Sequence, residues 1–190
     1  ILLVVASCFL GYLYQGPPFR LGYQGLGEPL CWLAFGPLAY TAALIALNPS
    51  DIYLTSIPWK ESLLLGSGSS LATTLVLFCS HFHQIKEDKE HGKNSPLVRL
   101  GAKKGAKLIP WIVFIIYFFQ LCIIINGFIP IFCGLYLISF PQSLKLINLL
   151  RHSYKKPEII KNCKFIAIKF QTLNGIGLIA GLIMDYFIYK

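Results

Sequence analysis

The segment His81-Phe-His-Gln-Ile-Lys-Glu-Asp-Lys-Glu-His-Gly, with Lys93 and Arg99 just after it, concentrates polar chemistry in an otherwise apolar chain. If a helix runs through it to Gly92, a natural helix stop, then Gln84, Glu87, Asp88 and His91 fall at i, i+3, i+4 and i+7 and share one face. Adjacent acids with an amide one turn away offer hard oxygen ligands to Mg²⁺, which takes one or two carboxylates and completes its shell with water and phosphate oxygens. Lys93 and Arg99 are the cations a diphosphate needs, because they offset the charge that builds on a departing pyrophosphate. The same residues also fit a solvated loop whose acids balance its lysines, and both readings stay open here. His81 and His83 look like a metal pair, but their i, i+2 spacing sends the rings to different helix faces, so they are read as structural or headgroup contacts. A second unusual stretch, from Gly11 to Pro29, is dense in Gly and Pro. Broken backbone of this kind is tolerated in a membrane only where it lines a cavity or packs in protein, which makes Tyr14, Arg20, Tyr23 and Glu28 candidates for holding a polar aromatic substrate. A tight helix connection is the plainer alternative.

The elements that must position these groups follow from composition. Of 190 residues, 55% are hydrophobic and only 13% charged, against roughly 25% charged in soluble domains. Mean hydropathy is +0.63. A polytopic membrane protein is expected, and a globular enzyme or a nucleic-acid binder is excluded. The formal charge of +9 then marks loops on one side of a lipid bilayer rather than a DNA-binding face. Six scattered cysteines without a C-x-x-C pair read as apolar packers, not as a zinc site or disulfide framework. The chain opens inside an apolar run with no basic n-region and no cleavage site, so it is read as an incomplete N-terminus rather than a signal peptide.

From Leu108 to Leu144 there are 37 residues without a charge, far more than one helix needs to cross a hydrocarbon core of about 30 Å. Asn126, Gly127 and Pro130 supply the turn, dividing the run into helices at 108–125 and 128–144. The runs 29–50, 62–85 and 170–189 each fit one further span, the last interrupted by Asp185, and residues 1–14 fit the end of a sixth. Gly66, Gly68, Gly175, Gly177 and Gly181 are small residues that permit close helix approach. With alternating direction, Arg20, seven cations from Lys86 to Lys107 and seven from Lys145 to Lys169 share one side, 15 of the 17. Lys60 and Lys190 are left on the other. The positive-inside rule therefore faces the basic loops toward cytoplasm or stroma.

Gly-Pro-Pro-Phe-Arg-Leu-Gly-Tyr-Gln-Gly-Leu-Gly-Glu (16–28) and Phe-His-Gln-Ile-Lys-Glu-Asp-Lys-Glu-His-Gly-Lys-Asn-Ser-Pro-Leu-Val-Arg-Leu-Gly (82–101) resemble the 1,4-dihydroxy-2-naphthoate prenyltransferases of the UbiA-type superfamily, most of all the cyanobacterial and plastid branch with a phytyl donor. The resemblance implies an all-α, nine-helix membrane bundle, of which this chain carries the fourth to ninth helices as a single prenyltransferase domain over 1–190. It also implies a chloroplast, plastid or cyanobacterial membrane. Two aspartate-rich motifs hold Mg²⁺ and a prenyl diphosphate in such proteins. Asp88 matches the second acid of the D-x-x-x-D motif, Gln84 replaces the first, and Glu87 becomes a helper to the metal. Lys93 matches the lysine after the motif glycine. Tyr14 and Arg20 sit where the family places a tyrosine and a cation beside the diphosphate, and Arg99 joins that set. The implied reaction transfers a phytyl group from its diphosphate to dihydroxynaphthoate with loss of CO₂ and pyrophosphate, in phylloquinone or menaquinone synthesis. Sister readings are prenyltransferases of the tocopherol or ubiquinone pathways. A reading from another class is a transporter subunit, with Asp185 and the loop 16–29 forming a midplane ion site.

Overall fold

The computed structural model describes residues 2–47 and 57–189, and every regular element among them is helical. Apart from the single turn Pro157–Ile160, these are in chain order α1 (Leu2–Gln15), α2 (Gly27–Leu47), α3 (Trp59–Glu90), α4 (Pro96–Ile125), α5 and α6 (Cys163–Ile188). α5 begins as a 3₁₀ segment, Ile131–Ser139, and runs straight into an α-helix, Phe140–Ser153. α2, α3, α4 and the stretch Glu158–Ile188 are long and apolar enough to cross a membrane. α5 reaches as far, since nine 3₁₀ residues at about 2.0 Å and fourteen α residues at about 1.5 Å span roughly 39 Å. The turn between α4 and α5 falls at Asn126 and Gly127 as the residue types require, with Gly127 at φ 71°. The end of the sequence-based span 29–50, most of the connection 48–61, and Lys190 lie outside the described residues.

Helix boundaries depart from the uncharged runs in one consistent way. α4 starts at Pro96 rather than Leu108, α6 at Cys163 rather than Phe170, and α3 continues to Glu90 rather than Ile85. Charged residues end a hydrophobic run, but they do not end a helix whose backbone bonds are already satisfied. These helices continue through the lysines that flank their apolar windows. Gly101, at φ 76° and ψ 156°, sets the first turn of α4 at an angle to the remainder.

α3 is the centre of the bundle. Its Leu75, Phe78, Cys79 and Phe82 are buried against Ile109 and Ile116 of α4, Leu146 and Leu150 of α5 and Phe170 of α6. Trp111, Phe114 and Phe118 lie on the opposite side of α4 and are exposed, as a lipid-facing stripe is. Small residues set the close crossings. A Cβ on Gly36 would stand 2.4 Å from Ser70 Oγ, and one on Gly66 would stand 2.8 Å from the Gly36 carbonyl carbon, so α2 and α3 touch backbone to backbone. Gly177 and Gly181 of α6 play the same part against Leu135 and Cys133, where a Cβ would come within 2.4 Å of backbone atoms. The slimmer 3₁₀ coil of α5 is what lies under them. Gly175 is a correction to the expected set, since a Cβ there meets nothing within 4 Å.

Two local features bend the regular pattern. Residues Ala34–Leu38 of α2 form a π turn around Pro37, and the Thr41 hydroxyl donates to the Pro37 carbonyl at 2.7 Å. Proline has no N–H to offer, so a wider turn there sacrifices one backbone bond fewer. Inside the bundle, Gln120 of α4 and Asn174 of α6 exchange hydrogen bonds at 2.5 and 3.0 Å, each residue 1% exposed. Each amide thereby satisfies a group that would otherwise be stranded in an apolar interior.

Candidate functional site

α3 ends just past Glu90, and Gly92 at φ 68° turns the chain back so that the Lys93 N–H donates to the Asp88 carbonyl at 2.7 Å. That turn returns the Lys93 side chain to the helix it has just left, where Nζ donates to Asp88 Oδ1 at 3.2 Å. Asp88 is 7% exposed, and its other oxygen, Oδ2, lies 3.1 Å from His81 Nδ1. On its far side His81 Nε2 faces Glu28 Oε1 at 3.5 Å. The result is a line of alternating partners, Glu28, His81, Asp88 and Lys93, joining the first turn of α2 to the last turns of α3. The Glu28 contact is too long for a good hydrogen bond. Among the described residues neither of its buried carboxylate oxygens has a hydrogen-bond partner.

The Gly- and Pro-rich loop is sewn to this turn. Asn94 N–H donates to the Tyr23 carbonyl at 2.7 Å, and the Arg99 guanidinium donates to the Gln24 carbonyl. Gly25 lies between them at φ 77°, and a Cβ there would stand 2.5 Å from the Asn94 carbonyl oxygen. Only glycine fits. The loop also folds back on α1, where Leu21 and Gly22 donate to the carbonyls of Leu13 and Tyr14, both at 2.9 Å.

Beside the cluster opens a largely apolar cavity of about 560 Å³ between α1, α2, α3 and α6. Tyr14, Leu30, Cys31, Phe35, Leu77 and Ser80 are among its lining residues. Cys31 follows Glu28 by one turn and Ser80 immediately precedes His81, so the charged line stands at one end of this cavity. Tyr14 connects the two, lining the cavity and holding its ring and hydroxyl about 3.5 Å from where a Cβ on Gly27, the neighbour of Glu28, would stand. At the Gln171 wall, Nε2 donates to Thr73 Oγ1 at 3.3 Å.

The expected site residues divide accordingly. Asp88, Lys93, Glu28 and Tyr14 are brought together. Gln84 is half-buried one turn before Asp88. Glu87 is exposed, so the expected inward pair of acids is corrected to one; neighbours on an α-helix point about 100° apart and cannot both face the bundle. His91 is also exposed, donating Nδ1–H to the Glu87 carbonyl at 2.8 Å. Arg99 is spent on the Gln24 carbonyl, holding the loop. Arg20, at φ 42°, stacks on the Tyr23 ring at 5.6 Å, both on the loop rather than in the cluster. His81 was the residue left outside the site by sequence, although its spacing of seven from Asp88 places the two on one face. The different faces expected of His81 and His83 are observed, the first buried and the second half-buried. Asp185 lies near the end of α6, beside Cys133 at the opposite end of the bundle from the loop 16–29, so the two parts of the transporter reading are not brought together. Among the described residues no three His, Cys, Asp or Glu side chains converge as a metal-holding group.

A family model described as the UbiA prenyltransferase family matches residues 1–167. The chain belongs to the UbiA prenyltransferase family. Among curated proteins it is 39% identical over 94% of its length to a 2-carboxy-1,4-naphthoquinone phytyltransferase of Synechocystis, covering 56% of that protein. It is 38% identical over 97% of its length to the chloroplastic 2-carboxy-1,4-naphthoquinone phytyltransferase of Arabidopsis thaliana, covering 48% of it. A 1,4-dihydroxy-2-naphthoate octaprenyltransferase of Bacillus subtilis is similar at 20% identity. The chain thus spans about half the length of the two phytyltransferases. No solved structure matches it. The two blocks of sequence that carry the resemblance, the loop 16–28 and the α3–α4 turn with its flanking helix ends, are the parts that the structure sews together.

Proposed function

We propose that this chain forms part of a phytyltransferase that alkylates a 2-carboxylated 1,4-dihydroxynaphthalene in a plastid or cyanobacterial membrane, with its basic loops toward the stroma or cytoplasm. The single observation that carries this reading is the charged line Glu28–His81–Asp88–Lys93 standing at one end of an apolar cavity of about 560 Å³. A prenyl diphosphate has the same division, an anionic head on an apolar tail.

Lys93 holds the diphosphate oxygens by charge. Among the described residues Asp88 is the carboxylate beside Lys93 and would contribute a hard oxygen to a magnesium, while no three ligating side chains converge to hold one by themselves. When bound, magnesium supplies charge neutralisation on the departing diphosphate. The C–O bond of the donor breaks with its electron pair going to the diphosphate. Tyr14, Phe35 and the aliphatic wall keep water from the allylic cation, and aromatic ring faces stabilise it. The carboxyl-bearing ring carbon attacks, its bond to the carboxylate breaks, and that electron pair restores the aromatic ring as CO₂ leaves. Glu28 accepts a hydrogen bond from a ring hydroxyl, which gives its carboxylate the donor that the protein withholds. The two phytyltransferase relatives are named for the quinone form of the acceptor; we favour the dihydroxy form because an electron-rich ring is the better nucleophile toward a cation.

The test is expression of the complete reading frame containing these residues, with product analysis after feeding phytyl diphosphate and either form of the acceptor. Prenylated, decarboxylated product from dihydroxynaphthoate, abolished by Asp88→Ala without loss of membrane insertion, supports the assignment. Unchanged transfer in that variant would sink it.

A further inference from the structure

The same end of the bundle carries a second concavity, on its outside. Between α4 and α5 a pocket of about 280 Å³ is ringed by Lys103, Lys107, Arg151 and Tyr154. Its remaining lining is apolar, from Ala106, Pro110 and Ile147. None of its lining residues is shared with the cavity beside Asp88. Lys103 and Lys107 stand one turn apart on α4, and Arg151 faces them from the last turn of α5.

Among the described residues the ion pairs formed by lysines are Lys86 with Glu90, Lys93 with Asp88 and Lys161 with Glu158. Among the described residues Lys103, Lys107 and Arg151 have no carboxylate partner. Three like charges around one small pocket repel, and an anion seated among them reverses the sign of that interaction. Next along α4 the surface is Trp111, Phe114 and Phe118, all exposed, a stripe that only hydrocarbon covers well. A phosphate-sized cationic socket that opens onto a lipid-facing aromatic stripe has the division of charge found in an anionic phospholipid. Lys155, next in the chain, stands over the ring of the lining residue Tyr154 at 5.9 Å and adds to the positive charge around the pocket.

We propose that the pocket between α4 and α5 binds the phosphate headgroup of an anionic glycerophospholipid, with its acyl chains lying along the exposed face of α4. The site is independent of prenyl transfer and stands or falls separately from it.

The polypeptide from the complete reading frame, purified in detergent and delipidated, is offered phosphatidylglycerol or phosphatidylcholine of matched acyl chains, and bound lipid is counted by native mass spectrometry. Phosphatidylglycerol is expected to be retained selectively. The Lys103→Gln, Lys107→Gln, Arg151→Gln triple variant should bind it about a hundredfold more weakly, from roughly a fivefold loss per cation removed near a membrane surface. Arg151→Gln alone gives a graded, roughly fivefold loss should the triple variant fail to fold. Lys86→Gln with Lys161→Gln, exposed lysines outside the pocket lining, should leave retention unchanged. Equal retention of phosphatidylcholine, equal loss in the Lys86 and Lys161 variant, or displacement of the lipid by millimolar inorganic phosphate or pyrophosphate would each overturn the proposal, the last by assigning the pocket to a free anion.

Discussion

His81 Nδ1 stands 3.1 Å from Asp88 Oδ2, two helical turns away on one face of α3, and leaves Asp88 Oδ1 to Lys93. An imidazole in this position fixes the carboxylate's rotamer. His81 is therefore a positioning residue. His81→Ala is expected to lower phytyl transfer about 10- to 100-fold, the range seen when a residue orienting a metal ligand is lost. His81→Asn, which can still donate, should recover part of it. The checking measurement is kcat and the magnesium dependence of the rate in membranes. A rate unchanged in both variants refutes the role.

Glu28 is buried with no hydrogen-bond donor among the described residues. Its removal should act on the acceptor rather than on the donor: Glu28→Gln raises the KM for dihydroxynaphthoate while leaving that for phytyl diphosphate near its original value. Steady-state kinetics with each substrate varied in turn separates the two.

The glycines of α6 allow a comparison within one helix. At Gly181 a Cβ would collide with the Cys133 backbone at 2.4 Å, whereas at Gly175 it meets nothing within 4 Å. Gly181→Ala should destabilise the bundle by about 1–3 kcal/mol, as forced overpacking does. Gly175→Ala should be neutral or stabilising by about 0.4–1 kcal/mol, since alanine restricts the unfolded chain. Thermal unfolding in a single detergent reads both.

For the amide couple, Gln120→Leu or Asn174→Leu alone strands a buried amide and should cost about 1–2 kcal/mol, while the double variant recovers most of that loss. A double-mutant cycle on unfolding free energy measures it, and strict additivity would show that the two hydrogen bonds are not coupled.

The spans could be read because charge is missing from whole stretches such as Leu108 to Leu144, and Asp88 and Lys93 because Gly92 marks a helix end between them. Glu87 could not be separated from Asp88, since composition is silent on which of two adjacent acids turns inward until the neighbouring helix is known. The helix that covers that face begins with Gly27 and Glu28, sixty residues before Asp88 in the sequence, and Glu28 faces His81, which in turn holds Asp88. Arg99 misled for a related reason. A cation close to a diphosphate motif in sequence has a backbone carbonyl, that of Gln24, closer to it in space. The cavity was legible only in part, through Tyr14; Gln171 and Thr73 reach it from helices whose register depends on the close glycine contacts.

The tie between Arg99 and Gln24 joins positions 75 residues apart. A ribosome adding about 5–20 residues per second needs roughly 4–15 s to make that length. Throughout that interval the loop has been synthesised while its clasp has not, and α2 and α3 must enter the bilayer in between. The order of synthesis thus leaves the loop above Glu28 unfastened until the start of α4 has been made and has left the ribosome.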